Sequence, residues 1–221
     1  MKVIALLPMK GNSERVPGKN LKIFNGKPLF HYVLEALQNS SLIDQIIINT
    51  DSKEITDSAS IFSKVKIHER PSRICGDFVS MNDIIENDLE NSDGTIYLQT
   101  HSTNPLLRSE TISKAIAKFQ NSTTNDSLFS VTKLQTRLYW EDGKPVNHNP
   151  EELLRTQDLP PLFEENSNIF IFTKESFAKA DNKRIGLNPI MFEIDKLEAL
   201  DIDEPQDFVL AETIHKLNLV K

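Results

Sequence analysis

Short apolar runs alternate with amphipathic stretches along almost the whole chain, and few folds tolerate that pattern. Residues 3–7 are continuously apolar and stop at Pro8, as in a strand buried on both faces. Residues 28–37 follow with helical spacing, Leu29, Val33, Ala36 and Leu37 sharing one side. Further strands are expected at 46–48, 65–67, 95–98, 128–131 and 169–172, and further helices at 53–62, around 84–89 and at 208–217. Ser109 is placed as the N-cap of one more helix, with Glu110 in its positive first turn and Ile112, Ala115, Ile116 and Phe119 as its apolar stripe. Alternation on this scale means an α/β fold, a mostly parallel sheet with helices on both faces. The 221 residues suit a single domain of that kind.

One stretch breaks the rhythm. Residues 133–167 lack helical periodicity and contain Trp140-Glu141-Asp142-Gly143-Lys144, where Asp-Gly is a hairpin turn signal. A β-hairpin arm projecting from the sheet is expected here, at a substrate site or at a contact between two copies in a homodimer.

Charge is distributed unevenly. Residues 1–31 hold six cations against one anion, a local +5, so the other 190 residues carry −12 of the total −7. Residues 193–207 hold seven acids and one base. A basic segment and an acidic cluster together suit a phosphate-plus-divalent-metal site; two oppositely charged solvated faces are the plainer reading. The sequence pI near 5.3 argues against a general nucleic-acid binder. The single cysteine, Cys75, excludes an internal disulfide and a Cys-rich zinc site, and reads as a small buried side chain. With no apolar run of membrane-spanning length and no signal-peptide pattern, a cytoplasmic location without membrane insertion is expected.

The chemistry begins where the first strand ends. Lys10, Arg15 and Lys19 supply charge, and Ser13 and Asn20 supply donors, in a long polar loop. Loops beyond the carboxyl ends of parallel strands are where open sheets bind ligands. The loop is neither a Walker A loop nor a dinucleotide fingerprint, because neither glycine pattern is present.

Lys10-Gly11-Asn12-Ser13-Glu14-Arg15-Val16-Pro17-Gly18-Lys19-Asn20-Leu21, followed by Asn25-Gly26-Lys27-Pro28-Leu29, resembles the N-terminal signature of acylneuraminate cytidylyltransferases, and its spacing is also similar to the related CMP-Kdo synthetases. The resemblance continues along the chain. Asn49-Thr50-Asp51-Ser52 resembles the family's S-T-D-S strand end, and Arg70-Pro71 with Asp77 and Ser80 its nucleotide-side segment. Thr103-Asn104-Pro105-Leu106 resembles T-S-P-L, and Arg155, Gln157-Asp158 and Glu165-Asn166 resemble R-x-Q-D … E-N-G. Asp201-Ile202-Asp203-Glu204-Pro205-Gln206-Asp207 resembles D-I-D-x-P-x-D. Lys10 in place of Arg, Glu14-Arg15 in place of Lys-Gly, and Asn166-Ser167 in place of Asn-Gly are departures.

The resemblance implies a Rossmann-like nucleotidyltransferase that joins CMP from CTP to a sugar acid such as sialic, legionaminic or pseudaminic acid, releasing pyrophosphate with Mg²⁺ (Mn²⁺ as a substitute). A CMP-Kdo-type synthetase, another nucleotide-sugar pyrophosphorylase and a non-catalytic nucleotide-binding homologue stay open beside it. It implies catalytic roles for Lys19, Lys10, Asp201 and Asp203, the last two also as metal ligands. Nucleotide contacts fall to Lys10, Ser13, Arg15, Lys19, Asn20, Arg70 and Ser80, and sugar contacts to Gln99, His101, Arg155, Gln157 and Asn166.

Plainer readings stand beside these. Asp203 is equally placed to cap the last helix, with Gln206 at the third helical position, and Ser80 to cap another. Arg155 and Gln157 could be ordinary loop residues, and His101 a surface one. On an extended segment Asp201 and Asp203 are expected to diverge, so they would share a metal only where the chain turns; Pro205 suits a turn. The five histidines show no metal-ligand spacing, and His31 and His215 fall in expected helices.

Overall fold

The computed structural model describes residues 1–11, 16–76 and 78–220. In chain order the elements are β1 (Val3–Leu6), β2 (Ile23–Phe24), β3 (Lys27–Pro28), α1 (Leu29–Asn39), β4 (Gln45–Thr50), α2 (Lys53–Ala59), β5 (Val65–Glu69), α3 (Met81–Glu90), β6 (Ile96–Gln99), α4 (Ser109–Gln120), β7 (Ser127–Leu134), β8 (Leu162–Phe172), α5 (Lys174–Lys179), β9 (Pro189–Glu193) and α6 (Pro205–Lys216). Seven strands make one sheet in the order β5-β4-β1-β6-β8-β7-β9. Four of its pairings are parallel; β8 alone runs against its neighbours β6 and β7. The expected mostly parallel sheet is therefore present.

The continuous apolar run in β1 follows from burial on both sides. Val3, Ala5 and Leu7 pack with Phe30, Val33 and Leu34 of α1 and Ile112 and Ile116 of α4. Ile4 and Leu6 face the other way, toward Ile85 and Leu89 of α3 and Phe177 of α5. A smaller cluster seats α6 on the start of α1: Phe208 and Ala211 meet Phe24, Leu29 and Ile202. No helix among the described residues is long and apolar enough to cross a membrane.

Two cap assignments change. Arg108, extended, is the N-cap of α4, and Ser109 is its first helical residue. Glu198 holds that end: its Oε1 accepts from the Arg108 backbone N–H at 2.9 Å and its Oε2 from the guanidinium at 3.0 Å. At α6 the N-cap is Glu204, not Asp203, with Pro205 at the first position, which pushes the third helical position to Asp207 rather than Gln206. The Asp207 carboxylate accepts from the backbone N–H groups of Asp203 and Glu204, at 3.1 and 2.7 Å. Cys75 is half-buried rather than buried, its thiol 3.5 Å from the Pro71 carbonyl.

The irregular stretch is shorter than its sequence suggests. Both its ends belong to the sheet: Lys133 pairs with Phe163 and Leu134 with Leu162. The arm itself spans 135–161. Its Asp142-Gly143 turn forms as expected, with Trp140 N–H donating to the Lys144 carbonyl at 2.8 Å and Gly143 at φ 82°. Deeper in the ladder the register shifts opposite Ser130, whose hydroxyl donates to Asn166 Oδ1 at 2.6 Å and accepts from Ile169 N–H at 2.8 Å. Ser167, in that bulge, has φ 56°, a left-handed conformation costly for a residue with a Cβ.

Candidate active site

The chain steps from β1 outward to β4 and β5, then returns to lay β6 on the other side of β1. The crevice between the carboxyl ends of β1 and β6 is the topological switch point, where open α/β sheets bind ligands. A cleft of about 600 Å³ opens there. Lys10, Lys19 and Asn20 line it from the loop after β1, and His101, Ser102 and Thr103 from the loop after β6. Arg70, Gly76, Val79 and Met81 flank one end; Ser167 and Arg184 join the lining from the β8 side, and Asp201 and Asp203 from the segment before α6.

Three ties fix the described ends of the loop after β1. The Gly11 N–H donates to Asp51 Oδ1 at 2.8 Å, and a Cβ on Gly11 would stand 3.1 Å from that of Ser52. The Asn20 amide bridges two loops, donating to the Lys10 carbonyl at 3.1 Å and accepting from Ser102 Oγ at 2.7 Å. Lys19 Nζ donates to the Ile202 carbonyl at 2.6 Å and lies 3.8 Å from Asp203 Oδ1. The motif Asn49-Thr50-Asp51-Ser52 thus acts as a clamp: Asp51 holds the loop, and Ser52 caps α2 by accepting from Ile55 N–H.

Asp201 and Asp203 line the same wall, which corrects the expectation that they diverge. Residues two apart on extended chain share a side, and Ile202 between them is fully buried in the α6 cluster. Burial raises the Asp201 carboxyl above its ordinary range; a hydrogen bond from Thr103 opposes this, the Asp203 charge adds to it, and Lys19 opposes it. Among the described residues no cluster of three or more His, Cys, Asp or Glu side chains could enclose a metal ion. Two hard carboxylates, one of them raised by burial, are donors of the kind that suits Mg²⁺.

Arg70 is buried but reaches the cleft, its Nε donating to Asn49 Oδ1 and its Nη2 to the Asn49 carbonyl, each at 2.8 Å. Asn49 in turn donates to the fully buried Asp88 at 2.8 Å. His101 lines the cleft and is held neutral, its pKa lowered to about 4 by burial first and by Arg184 second.

Other expected contacts lie elsewhere. Ser80 caps α3, accepting from Asn82 N–H at 3.2 Å, and is outside the cleft lining. Gln99 is fully buried behind His101, its amide nitrogen spent on the Thr100 carbonyl at 2.8 Å. The Asn166 amide is engaged by Ser130, Thr132 and Asn168 inside the bulge. Arg155 and Gln157 are exposed on the arm, Arg155 paired with Asp158 at 2.7 Å. Ser13 and Arg15, like Asp77, lie outside the described residues.

Sequence reading missed Arg184 in the cleft, and flagged Ser167 only as a departure. Lys183-Arg184-Ile185-Gly186 has neither periodicity nor a motif, so only an adjacent pair of cations in a polar loop could have drawn attention to it.

A family model described as cytidylyltransferase matches residues 4–220. The pseudaminic acid cytidylyltransferase of Campylobacter jejuni is 27% identical over 230 residues, covering 99% of this chain and 98% of its own. The CMP-N,N'-diacetyllegionaminic acid synthase of Legionella pneumophila is 28% identical over 240 residues, again covering 99% and 98%. Among solved structures, a CMP:2-keto-3-deoxy-manno-octonic acid synthetase complexed with CTP superposes with a TM-score of 0.72 at 13% identity, covering 99% of this chain and all of that one. That likeness is one of fold.

Proposed function

The chain belongs to the cytidylyltransferase family, and from that premise we propose that it transfers CMP from CTP to the anomeric hydroxyl of a nonulosonic acid, such as pseudaminic, legionaminic or sialic acid, for cell-surface glycan synthesis. The hydroxyl oxygen attacks the α-phosphorus, the bond to the bridging oxygen of pyrophosphate breaks, and the hydroxyl proton leaves to solvent. The observation that carries this reading is the meeting of Lys19, Asp201 and Asp203 in the switch-point cleft, although more than 180 residues separate the lysine from the acids.

Such a transfer depends on positioning and on stabilising charge. Lys19 meets phosphate charge, held in place by the Ile202 carbonyl, with Lys10 and Arg70 along the triphosphate and nucleoside. Lys10 does so as a point charge, without the planar fork of an arginine. Asn20 locks the loop so that these groups need not reorganise during reaction. Asp201 and Asp203 would hold Mg²⁺ or Mn²⁺, which when bound neutralises phosphate oxygens and supports the leaving group. His101, kept neutral, offers the acceptor a hydrogen-bonding edge without adding charge. The protein acts as a homodimer whose arm, with exposed Tyr139 and Trp140, meets the second copy and brings Arg155 and Gln157 to a cleft they do not line within one chain.

The test is pyrophosphate release with CTP and Mg²⁺ against pseudaminic, N,N'-diacetyllegionaminic and sialic acids and Kdo, with CTP binding read in the same samples. Release with a nonulosonic acid is expected. Release with Kdo alone would move the protein to the Kdo class, and CTP binding without release would make it a non-catalytic nucleotide binder.

A further inference from the structure

We propose that Arg184 reads the carboxylate of the acceptor acid, an assignment that rests on the reaction proposed above. Arg184 follows α5, on the β8 side of the cleft, with the phosphate-facing cations Lys10, Lys19 and Arg70 on the other elements. Its geometry is built rather than incidental. The guanidinium carbon lies 4.0 Å from the centroid of the Phe170 ring, and Nη1 donates to Gln99 Oε1 at 2.7 Å. Gln99 cannot swing away, because it is fully buried and its own nitrogen is bound to the Thr100 carbonyl. Stacking on one face and one bond at the edge orient a planar fork while sparing its other N–H groups.

What Arg184 lacks is a counter-ion in contact with it; the charge of Glu165 acts on it only from beyond ion-pair distance. Arg108 pairs with Glu198 at 3.0 Å and Arg155 with Asp158 at 2.7 Å, whereas no carboxylate lies within 4.0 Å of Arg184 among the described residues. This occurs in a chain whose acids outnumber its bases by seven. A half-buried guanidinium loses hydration that only a paired anion restores well, and its fork matches a carboxylate in two parallel bonds. An acceptor acid seated on the β8 side supplies that anion. Arg155, the guanidinium among the sugar contacts that the resemblance implies, already holds Asp158 through both Nε and Nη2.

The test compares the acid that supports turnover with its C1 primary amide, which has the same shape and no charge. The wild-type kcat/KM should favour the acid by about 100-fold or more, as expected where a buried charged group would be left unpaired. Arg184→Gln should reduce that preference to within about threefold while leaving the CTP dissociation constant unchanged, and Arg184→Lys should keep roughly a tenth of it. An undiminished preference in Arg184→Gln overturns the assignment, as does a loss produced by Arg155→Gln instead. If Arg184→Gln no longer binds CTP, Arg184→Lys decides, and an unchanged preference there overturns the fork. Wild-type protein that binds CTP and releases pyrophosphate with no acid overturns the reaction and this assignment together, whereas turnover with an unmoved preference overturns the assignment alone.

Discussion

Two long loops leave the sheet, and they are held in opposite ways. The described ends of the loop after β1 are fastened to the rest of the molecule: Gly11 to Asp51, Asn20 to Ser102, Lys19 to Ile202. The arm at 135–161 is fastened mainly to itself. Gln135 donates to the carbonyls of Thr156 and Leu159, Asn147 to those of Thr136 and Pro160, and Arg155 pairs with Asp158. It also leaves Trp140 64% and Leu153 95% exposed. Groups that meet developing charge gain from being held before substrate arrives, and ties to distant elements hold Gly11, Lys19 and Asn20 in that way. A self-contained arm with bare apolar side chains suits contact with another chain instead.

If that contrast holds, substitutions on the fastened side should cost the most. Asp201→Asn and Asp203→Asn should each lower turnover at fixed Mg²⁺ by at least about tenfold, or roughly 1.4 kcal/mol. Steady-state pyrophosphate release measures this, and wild-type rates in both variants would remove the acidic wall from the chemistry. The arm should respond in assembly. Sedimentation at micromolar concentration should give a dimer, and Trp140→Glu should shift it toward monomer without changing CTP affinity. A strictly monomeric wild type would end the contrast on the arm side.

The smallest expected effect concerns pH and sharpens the cleft side. Burial holds His31, His101 and His215 below the ordinary imidazole value near 6.5, His101 at about 4. Between those values the unfolded chain binds a proton that the native His101 imidazole refuses, and His31 and His215 shift in the same direction. The stability that these neutral imidazoles contribute is therefore fully present above about pH 6.5 and is lost as pH falls toward 4. Denaturant midpoints across that range should follow this slope, and His101→Gln should flatten part of it. An unchanged slope in that variant would mean that His101 titrates normally in the folded protein.

Much of the fold could be read in advance, since β1, α1, β4 and α3 are written in local periodicity that neighbouring residues impose on one another. Element ends were less legible. Ser109 has the chemistry of a cap, yet it is the first helical residue of α4, and Arg108, held by the buried Glu198 brought from beyond β9, is the N-cap. Asp203 likewise yields its cap role to Glu204 and Asp207. Part of the site was legible through its motif: Lys10, Lys19, Asn20, Arg70, His101, Asp201 and Asp203 all line the cleft. Gln99, Asn166 and Ser80 carry roles implied by the same resemblance but are spent on neighbouring atoms, which no one-dimensional pattern reveals.

The sequence by itself determined the α/β alternation, the basic loop after the first strand and the acidic segment near the end, because hydrophobic period and charge are properties of adjacent residues. Only the tertiary structure decided what stands opposite what. Lys19 reaches Ile202 across 183 positions, and Arg184 reaches Gln99 across 85. Contacts of that span depend on sheet order and on which residues are desolvated together, and both arise only when the whole chain packs.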